Sequence, residues 1–370
     1  MKHQEKKNDK VLLATIFALI LFGLMMIASA GIIYSETRFG DQYYFFKRQV
    51  FFGVLPGIFV LYFFQRIDYH YWKKFVIPLF FVSLILLILI FIPGMGIKIY
   101  GANRWINLGP VSFQPSEMMK LSLVLYLALL FESKEKKRIK DFFESFAPFL
   151  VVMGIVGFLI VKQPDMGTFG VIMFTAIAVY FASGAKMSHF LGIVISGILS
   201  LIILIKTAPY RLDRFLVFLN PDTDPQGIGY QINQALLAVG SGGIFGIGLG
   251  HSRQKFNYLP EPVGDSIFAI IGEELGLIGA SVLVILFLIL VLRGLKIAKN
   301  APDEFGKLAA IGITSWVIFQ AFINISAILS LIPLTGIPLP FISYGGTSLI
   351  FLMAGMGILM NISKQTRLES

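Results

Sequence analysis

The feature that most constrains this chain is a series of long apolar runs separated by short polar segments. A helix needs about 20 mainly apolar residues to cross the ~30 Å hydrocarbon core of a bilayer. Ten runs approach or reach this length, at residues 11–33, 48–65, 74–93, 117–131, 146–162, 168–185, 188–206, 265–292, 308–332 and 340–362. Hydrophobic residues make up 56% of the 370 positions, and the mean hydropathy is +0.80. The sequence therefore predicts an all-α polytopic membrane protein with ten transmembrane helices.

The distribution of cations predicts the orientation of these helices. The first run is longer than the apolar region of a signal peptide and is followed by no clear small-residue cleavage pattern, so we interpret it as a retained span. Ten spans place both termini on one side, and the Lys and Arg residues of the short connecting segments are concentrated there. The positive-inside rule then makes both termini cytoplasmic. Residues 207–264 form a large extracytoplasmic loop between the seventh and eighth spans, within a single membrane domain over 1–370.

Composition excludes several classes of function. The net charge is +10, but the cations lie in short segments between apolar runs, so membrane orientation and anionic lipid explain them better than nucleic acid. The chain has no cysteine, which excludes disulfides, thiol chemistry and Cys-ligated zinc. The four histidines have no metal-ligand spacing, so no tightly bound metal is predicted. Any catalysis must use oxygen and nitrogen groups.

Asp265 is the strongest candidate for a catalytic residue. It lies where a polar loop gives way to the eighth apolar run. A carboxylate costs several kcal/mol at bilayer depth but little at the rim, so an Asp at the mouth of a membrane helix can stay charged and face a cavity. Glu273 and Glu274 would lie about 12–14 Å further along the same helix, too far to pair with Asp265. We interpret them as buried anchors.

The predicted outer loop contains further polar residues upstream of Asp265. Residues 229–240 have the pattern of a short amphipathic helix, with Gln231 and Gln234 one turn apart. The glycines of 241–250 favour tight turns and close helix packing over a phosphate cradle, because no P-loop Lys-Ser/Thr follows.

Two cations follow those glycines. Arg253 and Lys255 could form a solvated or lipid-contacting face, or could bind a pyrophosphate beside Asp265.

A second polar group precedes the fourth apolar run. Ser116 is a plausible helix N-cap, which would place Glu117 and Lys120 on one face of the entering helix. This pair is either a structural ion pair or part of the same cavity as Asp265. In the segment 162–167, Asp165 is interpreted as a helix cap within a structural turn.

Several segments together resemble the SEDS (shape, elongation, division and sporulation) family of membrane proteins. They run in order along the chain: Gly101-Ala-Asn-Arg-Trp-Ile, Phe113-Gln-Pro-Ser-Glu-Met-Met-Lys, Lys162-Gln-Pro-Asp, Gly229-Tyr-Gln-Ile-Asn-Gln, Gly240-Ser-Gly-Gly, Tyr258-Leu-Pro-Glu, Ile271-Gly-Glu-Glu-Leu-Gly and Pro340-Phe-Ile-Ser-Tyr-Gly-Gly. The resemblance implies ten transmembrane helices and a peptidoglycan glycosyltransferase that polymerises lipid II on the outer face of the bacterial cytoplasmic membrane. It also implies a class B penicillin-binding protein as crosslinking partner, together with other membrane proteins of the division or elongation machinery.

Within the family, residues 252–261 resemble the division-type FtsW branch more than the elongation-type RodA branch. The family's catalytic Asp usually follows His-Thr and precedes Phe, whereas Asp265 here follows Val263-Gly264 and precedes Ser266. These changed neighbours affect which groups can form hydrogen bonds with Asp265.

The implied reaction assigns roles to the remaining polar residues. Attack of a sugar 4-hydroxyl on an anomeric carbon bearing undecaprenyl pyrophosphate would invert that centre, with Asp265 as general base. The basic candidates for neutralising pyrophosphate are Arg104, Lys120, Arg253 and Lys255. Further candidate substrate contacts are Glu117, Gln231, Gln234, Glu261 and Ser343. No tightly bound cofactor is expected, although a transient Mg or Mn ion could assist the leaving group.

Other readings stay open at the level of sequence. An elongation- or sporulation-type polymerase would share the same segments. A lipid II flippase or transporter would use similar helices, but would be expected to have ionisable groups near the bilayer midplane and internal repeats. A non-catalytic scaffold could use the basic segment 134–140 to recruit partners.

Overall fold

The computed structural model describes residues 9–99, 102–107, 109, 112–132, 136–207 and 209–366. Its helices are α1 (Lys10–Ala30), α2 (Ile32–Phe39), α3 (Tyr44–Gln49), α4 (Leu55–Arg66), α5 (Tyr69–Leu89), α6 (Pro115–Glu132), α7 (Lys136–Ile139), α8 (Ala147–Lys162), α9 (Met166–Ala182), α10 (Met187–Thr207), α11 (Pro209–Leu219), α12 (Ile228–Gly242), α13 (Ile267–Lys299), α14 (Glu304–Ile328) and α15 (Gly346–Gln365). A π-helical turn, Val50–Val54, joins α3 to α4, and another, Phe142–Phe146, leads into α8.

The helices account for the predicted membrane character. Within the described residues, seven helical stretches are long and apolar enough to cross a bilayer: Lys10–Ala30, Tyr44–Arg66, Tyr69–Leu89, Phe142–Lys162, Ile267–Lys299, Glu304–Ile328 and Gly346–Gln365. Helices α6, α9 and α10 lie at the other three predicted positions. Helix α6 carries charged side chains, and the apolar stretch of α9 has fewer than 18 residues. The chain is therefore a multi-pass membrane protein.

The predicted boundaries of the last spans were wrong in two places. Helix α13 extends to Lys299 and is broken at Gly276, whose φ of 64° and ψ of −165° are not helical. Helix α15, which corresponds to the last predicted span, begins at Gly346 rather than at residue 340. Pro338 and Pro340 lack backbone N–H groups and cannot continue a helical hydrogen-bond pattern, so residues 333–339 form an irregular segment.

The predicted loop 207–264 contains substantial secondary structure. Its described residues form α11, a 3₁₀ turn at Pro221–Thr223 and α12, which confirms the predicted amphipathic helix over 229–240. Residue 208 lies outside the described residues, as do residues 134 and 135 of the basic segment.

Before α6, the chain forms a small antiparallel sheet that the sequence did not predict. Its strands are β1 (Gly96–Ile99), β2 (Ala102–Asn107) and β3 (Ser112–Phe113), in the order β1-β2-β3. Strand β2 carries Arg104.

Helices α1 and α13 pack together and show how far the helical bundle reaches. At one end, Arg293 Nη2 lies 2.7 Å from Asp9 Oδ2; at the other, Ser29 Oγ donates to Glu274 Oε2 at 2.6 Å. About 20 helical residues between Asp9 and Ser29 correspond to ~30 Å, which is the thickness of a bilayer hydrocarbon core. The two polar contacts therefore lie about one hydrocarbon-core thickness apart along the α1–α13 pair.

Candidate active site

A cavity of about 480 Å³ lies at the same end of the bundle as the Ser29–Glu274 contact and contains Asp265. Its wall combines residues from α2, α3, the π-helical turn before α4, the small sheet, the start of α9, α11, the loop before α13, and the segment that leads into the start of α15. The charged side chains of the wall are Arg38, Arg48, Arg104, Asp165, Arg214, Glu261 and Asp265. The cavity thus brings together four arginines and three carboxyl groups.

The backbone around Asp265 is held by three hydrogen bonds from the last third of the chain. Asn324 Nδ2 donates to the Asp265 carbonyl at 2.8 Å, and Ser343 Oγ donates to the Gly264 carbonyl at 2.7 Å. The backbone N–H of Tyr344 donates to the Val263 carbonyl at 2.8 Å. The Asp265 carboxyl group therefore has a fixed attachment at the cavity wall, although its family-typical neighbours are absent.

The acidity of Asp265 differs from that of an exposed aspartate. Burial raises the pKa of Asp265 to about 7, and the negative charge of Glu261 adds to this increase, whereas Arg214 opposes it. The side chain therefore holds its proton more tightly than an exposed aspartate, which the sequence alone did not indicate. A pKa near the working pH suits a general base, which must accept a proton and release it again.

Glu261 lies on the same wall as Asp265. Its backbone has a positive φ of 50°, and its Oε1 atom accepts a hydrogen bond of 3.2 Å from the Tyr34 hydroxyl. Such a conformation is costly for a residue with a side chain, so the surrounding contacts must hold it in place. The turn 261–265 thus directs two carboxyl groups into one cavity.

Arg104 occupies another wall of the cavity beside the start of α9. Its guanidinium donates to the carbonyl of Pro164 and, at 3.3 Å, to that of Gln163, and lies 3.7 Å from Asp165 Oδ1. Asp165 also caps α9 by accepting from the Thr168 N–H at 3.2 Å, which confirms its predicted capping role. Arg104 is therefore a fixed cation at the cavity wall.

Sequence reasoning did not select three other arginines of the cavity. Arg38 lies over the Tyr34 ring at 4.2 Å, and Arg48 Nη1 donates to the Tyr44 hydroxyl at 2.7 Å. Arg214, treated from sequence only as a loop charge, donates to the Leu334 carbonyl at 3.2 Å. The available signal was the placement of Arg38 and Arg48 in a short segment between two apolar runs on the predicted outer side.

Glu117 and Lys120 lie behind the cavity wall and not in it. Lys120 Nζ lies 2.8 Å from Glu117 Oε1 and donates to Gln320 Oε1 at 2.7 Å, and both side chains of the pair are buried. Ser348, which does line the cavity, donates to Glu117 Oε2 at 3.0 Å. The structure thus favours the structural ion pair over direct substrate contact for both residues.

The predicted N-cap beside this pair was wrong. Helix α6 begins at Pro115, so Ser116 lies inside the helix, and its buried hydroxyl makes no hydrogen bond among the described residues.

The structure places Lys255, one of the cations considered for pyrophosphate binding, outside the cavity lining. Its side chain is only 3% exposed, and Nζ lies 3.1 Å from Glu274 Oε1 and 2.6 Å from the Gly250 carbonyl. A buried ammonium needs this carboxylate to offset its loss of hydration, so it is not available to a substrate. The interpretation of Glu274 as a buried anchor is confirmed.

Glu273 anchors the same loop. It accepts from Ser252 Oγ at 2.5 Å and from the N–H of Arg253 at 2.9 Å. The Arg253 side chain is exposed and lies outside the residues that line the cavity.

The remaining predicted contacts also lie outside the cavity lining. Gln231 Nε2 donates to Ser266 Oγ at 3.1 Å, which places Gln231 next to the residue that follows Asp265. Gln234 is partly buried on α12. Ser343 is buried and supports the Gly264 backbone. Gln231 and Ser343 are therefore better explained as supports of the Asp265 loop than as direct ligands.

The cavity offers limited ligation for a divalent cation. Among the described residues, no three His, Asp or Glu side chains are grouped closely enough to hold a metal ion. Glu261 and Asp265 nevertheless supply carboxylate oxygens on one wall. Mg²⁺ commonly binds one or two carboxylates together with substrate phosphates. The donor set therefore fits a cation shared with a substrate, not a permanent protein-bound metal.

A multi-pass helical bundle with a cavity that combines a perturbed carboxyl group and several arginines has the features of a membrane enzyme for an anionic, lipid-soluble substrate. Comparison with known proteins specifies the class. Residues 9–368 match the model of the FtsW/RodA/SpoVE family, described as "Cell cycle protein". The chain belongs to this family.

Several relatives match almost the whole chain. Stage V sporulation protein E of Bacillus subtilis (strain 168) is 43% identical over 98% of this chain and 99% of its own length. A protein named probable peptidoglycan glycosyltransferase FtsW from Trichlorobacter lovleyi is 42% identical over 97% of this chain and 94% of its own length. Relatives named for sporulation and for FtsW are thus about equally similar to this chain.

Solved structures give the same fold. A chain from a structure titled "Structural coordination of polymerization and crosslinking by a peptidoglycan synthase complex" has a TM-score of 0.80 and 27% identity, with coverage of 98% of this chain and 99% of that one. The rod shape determining protein RodA of Thermus thermophilus has a TM-score of 0.71, 26% identity and 98% coverage of both chains. A variant of that RodA in which one aspartate is replaced by alanine has also been solved.

Proposed function

We propose that this protein is a peptidoglycan glycosyltransferase that polymerises lipid II, with Asp265 as the general base. The observation that carries the proposal is the single cavity that holds Asp265 together with four arginines. Relatives over nearly the full chain are named peptidoglycan glycosyltransferases, which supports the reaction class.

The proposed reaction requires one proton acceptor and charge compensation. Asp265 accepts the proton of the acceptor sugar's 4-hydroxyl while that oxygen bonds to the anomeric carbon of the donor. The bond from this carbon to undecaprenyl pyrophosphate breaks at the same centre, so an α-linked donor gives an inverted product. A carboxyl pKa of about 7 lets Asp265 accept this proton and return it to water at neutral pH.

The arginines of the cavity are proposed to bind the pyrophosphate. Guanidinium groups stay charged and form paired hydrogen bonds with phosphate oxygens. Arg48, Arg104 and Arg214 are each held by at least one protein hydrogen bond, which preorganises their charge before the leaving group develops its own. Exposed Phe39 and Phe52 at the same cavity provide an apolar boundary suited to the polyprenyl tail.

A transient Mg or Mn ion remains part of the proposal. When bound, such an ion would supply Lewis-acid stabilisation of the pyrophosphate. Glu261 is the residue proposed to hold it, together with the substrate phosphates, because Asp265 serves as the general base.

The proposal places the cavity at the outer face of the cytoplasmic membrane. Helices α6, α9 and α10 would complete ten spans, with both termini cytoplasmic and the 207–264 segment outside.

The biological setting is also proposed. We propose division-associated synthesis, with a class B penicillin-binding protein as crosslinking partner, on the resemblance of residues 252–261 to the FtsW branch. Sporulation-specific synthesis is the second candidate, supported by the relative from Bacillus subtilis. A structural neighbour comes from a complex that combines polymerisation and crosslinking, which supports a partner of that kind.

Purified protein supplied with labelled lipid II, with and without the partner, tests the proposal. Wild type should form glycan polymer, whereas Asp265→Ala and Asp265→Asn should not. Arg253→Ala is the matched control, because Arg253 is a nearby cation outside the cavity lining, and it should retain activity. Normal polymerisation by folded Asp265→Ala protein would refute the assignment, and lipid II translocation across vesicles without polymer would indicate a flippase.

A further inference from the structure

The turn after α12 presents apolar side chains that the rest of the described residues leave largely exposed. Phe245 is 79% exposed and Ile244 is 59% exposed, and Ile247 and Leu249 follow with substantial exposure. We call residues 244–249 the apolar tip. The segment 225–250 that contains it has no charged residue.

The apolar tip has a fixed depth relative to the membrane helices. The N–H groups of Ile247 and Gly248 donate to the carbonyls of Glu273 and Glu274, at 3.0 and 3.1 Å, where α13 is broken. The Glu274 side chain in turn contacts Ser29, about 30 Å along α1 from the Asp9–Arg293 contact, a distance that matches the thickness of a bilayer hydrocarbon core. The apolar tip therefore lies at the Asp265 end of a stretch long enough to cross the hydrocarbon core.

The exposed surface of the apolar tip continues the lipid-facing surface of α13. The N–H of Leu277 donates to the Gly243 carbonyl at 2.9 Å, and the N–H of Ile278 donates to the Ile244 carbonyl at 3.1 Å. Leu277 is 63% exposed and begins an exposed apolar face. This face comprises Leu277, Ile278, Val282, Val284, Ile285, Leu288 and Leu292.

We infer that the apolar tip is a membrane anchor whose side chains insert among the acyl chains of the leaflet on the Asp265 side. Water could not cover Ile244 and Phe245 without a hydration cost, whereas acyl chains already surround the adjoining face of α13. The backbone of the tip can enter this depth because several of its N–H and C=O groups are bonded to the broken helix. The segment 225–250 is then seated in the membrane edge and does not extend as an aqueous loop.

The absence of cysteine makes a direct depth measurement possible. Single substitutions Ile244→Cys and Phe245→Cys are labelled with an environment-sensitive fluorophore and placed in phosphatidylethanolamine–phosphatidylglycerol nanodiscs. Leu288→Cys on the exposed face of α13 serves as the lipid control, and Asp222→Cys in the polar 3₁₀ turn as the aqueous control. Quenching is measured with nitroxides on the upper acyl chain and with iodide in water.

Labels at 244 and 245 should be quenched several-fold more by the acyl-chain nitroxide, and several-fold less by iodide, than the label at 222. Labels that respond as the one at 222 does would overturn the inference. Protection from both quenchers would overturn it too, because protein and not lipid would then cover the tip.

A charge at the tip supplies a second measurement that does not depend on enzyme activity. Phe245→Asp in the Ile244→Cys background should raise iodide quenching at position 244, because a carboxylate is expelled from hydrocarbon, whereas Phe245→Leu should leave it unchanged. Equal quenching in the Asp and Leu backgrounds, with both proteins folded by circular dichroism, would also count against insertion.

Discussion

The side-chain amide of Asn324 donates a hydrogen bond of 2.8 Å to the backbone carbonyl of Asp265. The same nitrogen donates to the carbonyl of Ile337 at 2.8 Å. Asn324 lies in the last two turns of α14 and thus connects the Asp265 loop to the segment around Ile337, both of which line the cavity. Because the bonds involve the backbone, Asn324 acts on the position of Asp265 and not on its charge.

Replacing Asn324 should therefore reduce turnover through misplacement of the base. Asn324→Leu removes both donor bonds while keeping the number and branching of the side-chain heavy atoms. The kcat for lipid II polymerisation should fall by about 10- to 100-fold, the range expected for misplaced catalytic groups. The neighbouring change Ile323→Val should leave kcat near the wild-type value. An Asn324→Leu protein with normal kcat would show that this connection is not needed for catalysis.

The pKa of Asp265 predicts an acid limit to activity. Only the ionised carboxylate accepts a proton, so kcat/KM should fall as the pH drops below about 7, with the slope of a single protonation. Glu261→Gln removes a negative charge that raises this pKa and should move the acid limit to lower pH. Arg214→Gln removes a positive charge that lowers it and should move the limit to higher pH. Initial rates of polymer formation across pH measure both shifts, and shifts in the same direction would contradict this account.

The same pKa predicts an opposite effect on stability. The folded protein holds the Asp265 proton more tightly than an unfolded chain with the ordinary value of 3.8, so folding stability decreases as the pH rises from 3.8 to about 7 and stays lower above it. Asp265→Asn removes this ionisation and should unfold at a higher temperature than wild type at pH 8. The difference should shrink as the pH approaches 3.8. Thermal unfolding in detergent, followed by intrinsic fluorescence, checks the trend, and a lower Tm for Asp265→Asn at pH 8 would oppose it.

The buried pair of Lys255 and Glu274 predicts a structural defect and not a binding defect. Lys255→Met leaves the Glu274 carboxylate buried without its cation and should destabilise the protein by about 3–5 kcal/mol. The double change Lys255→Met with Glu274→Gln should restore much of this loss, because no uncompensated charge remains. Unfolding midpoints compare these proteins with Arg253→Ala, which should behave as wild type. A Lys255→Met protein of normal stability but raised KM would instead support substrate binding.

The break in α13 predicts that one glycine is indispensable and another is not. Gly276 has a backbone conformation available almost only to glycine, and an added Cβ would meet the backbone of Gly246 and Ile244. Gly276→Ala should cost at least about 1–3 kcal/mol from conformation alone. Gly240→Ala, in α12 with open space around the added Cβ, should be tolerated. Unfolding midpoints of the two variants provide the comparison, and equal stability would contradict the structural role of the break.

The sequence determined the membrane class, the approximate positions of ten helical segments and the prominence of Asp265. Apolar length sets whether a helix can cross a bilayer, and this property is readable residue by residue. The sequence also identified Asp165 as a helix cap and Glu273 and Glu274 as buried anchors, because helix capping and helical spacing are local relationships.

Only the tertiary structure decided which polar side chains share a cavity. Arg38, Arg48 and Arg214 are separated by long stretches of sequence from Asp265 and carry no local pattern that distinguishes them from other loop cations. Lys255, ten residues before Asp265, looked better placed but is turned away into an ion pair with Glu274. The direction and burial of the Lys255 side chain depend on how the break at Gly276 folds the chain against α12. Such long-range packing cannot be read from residue spacing alone.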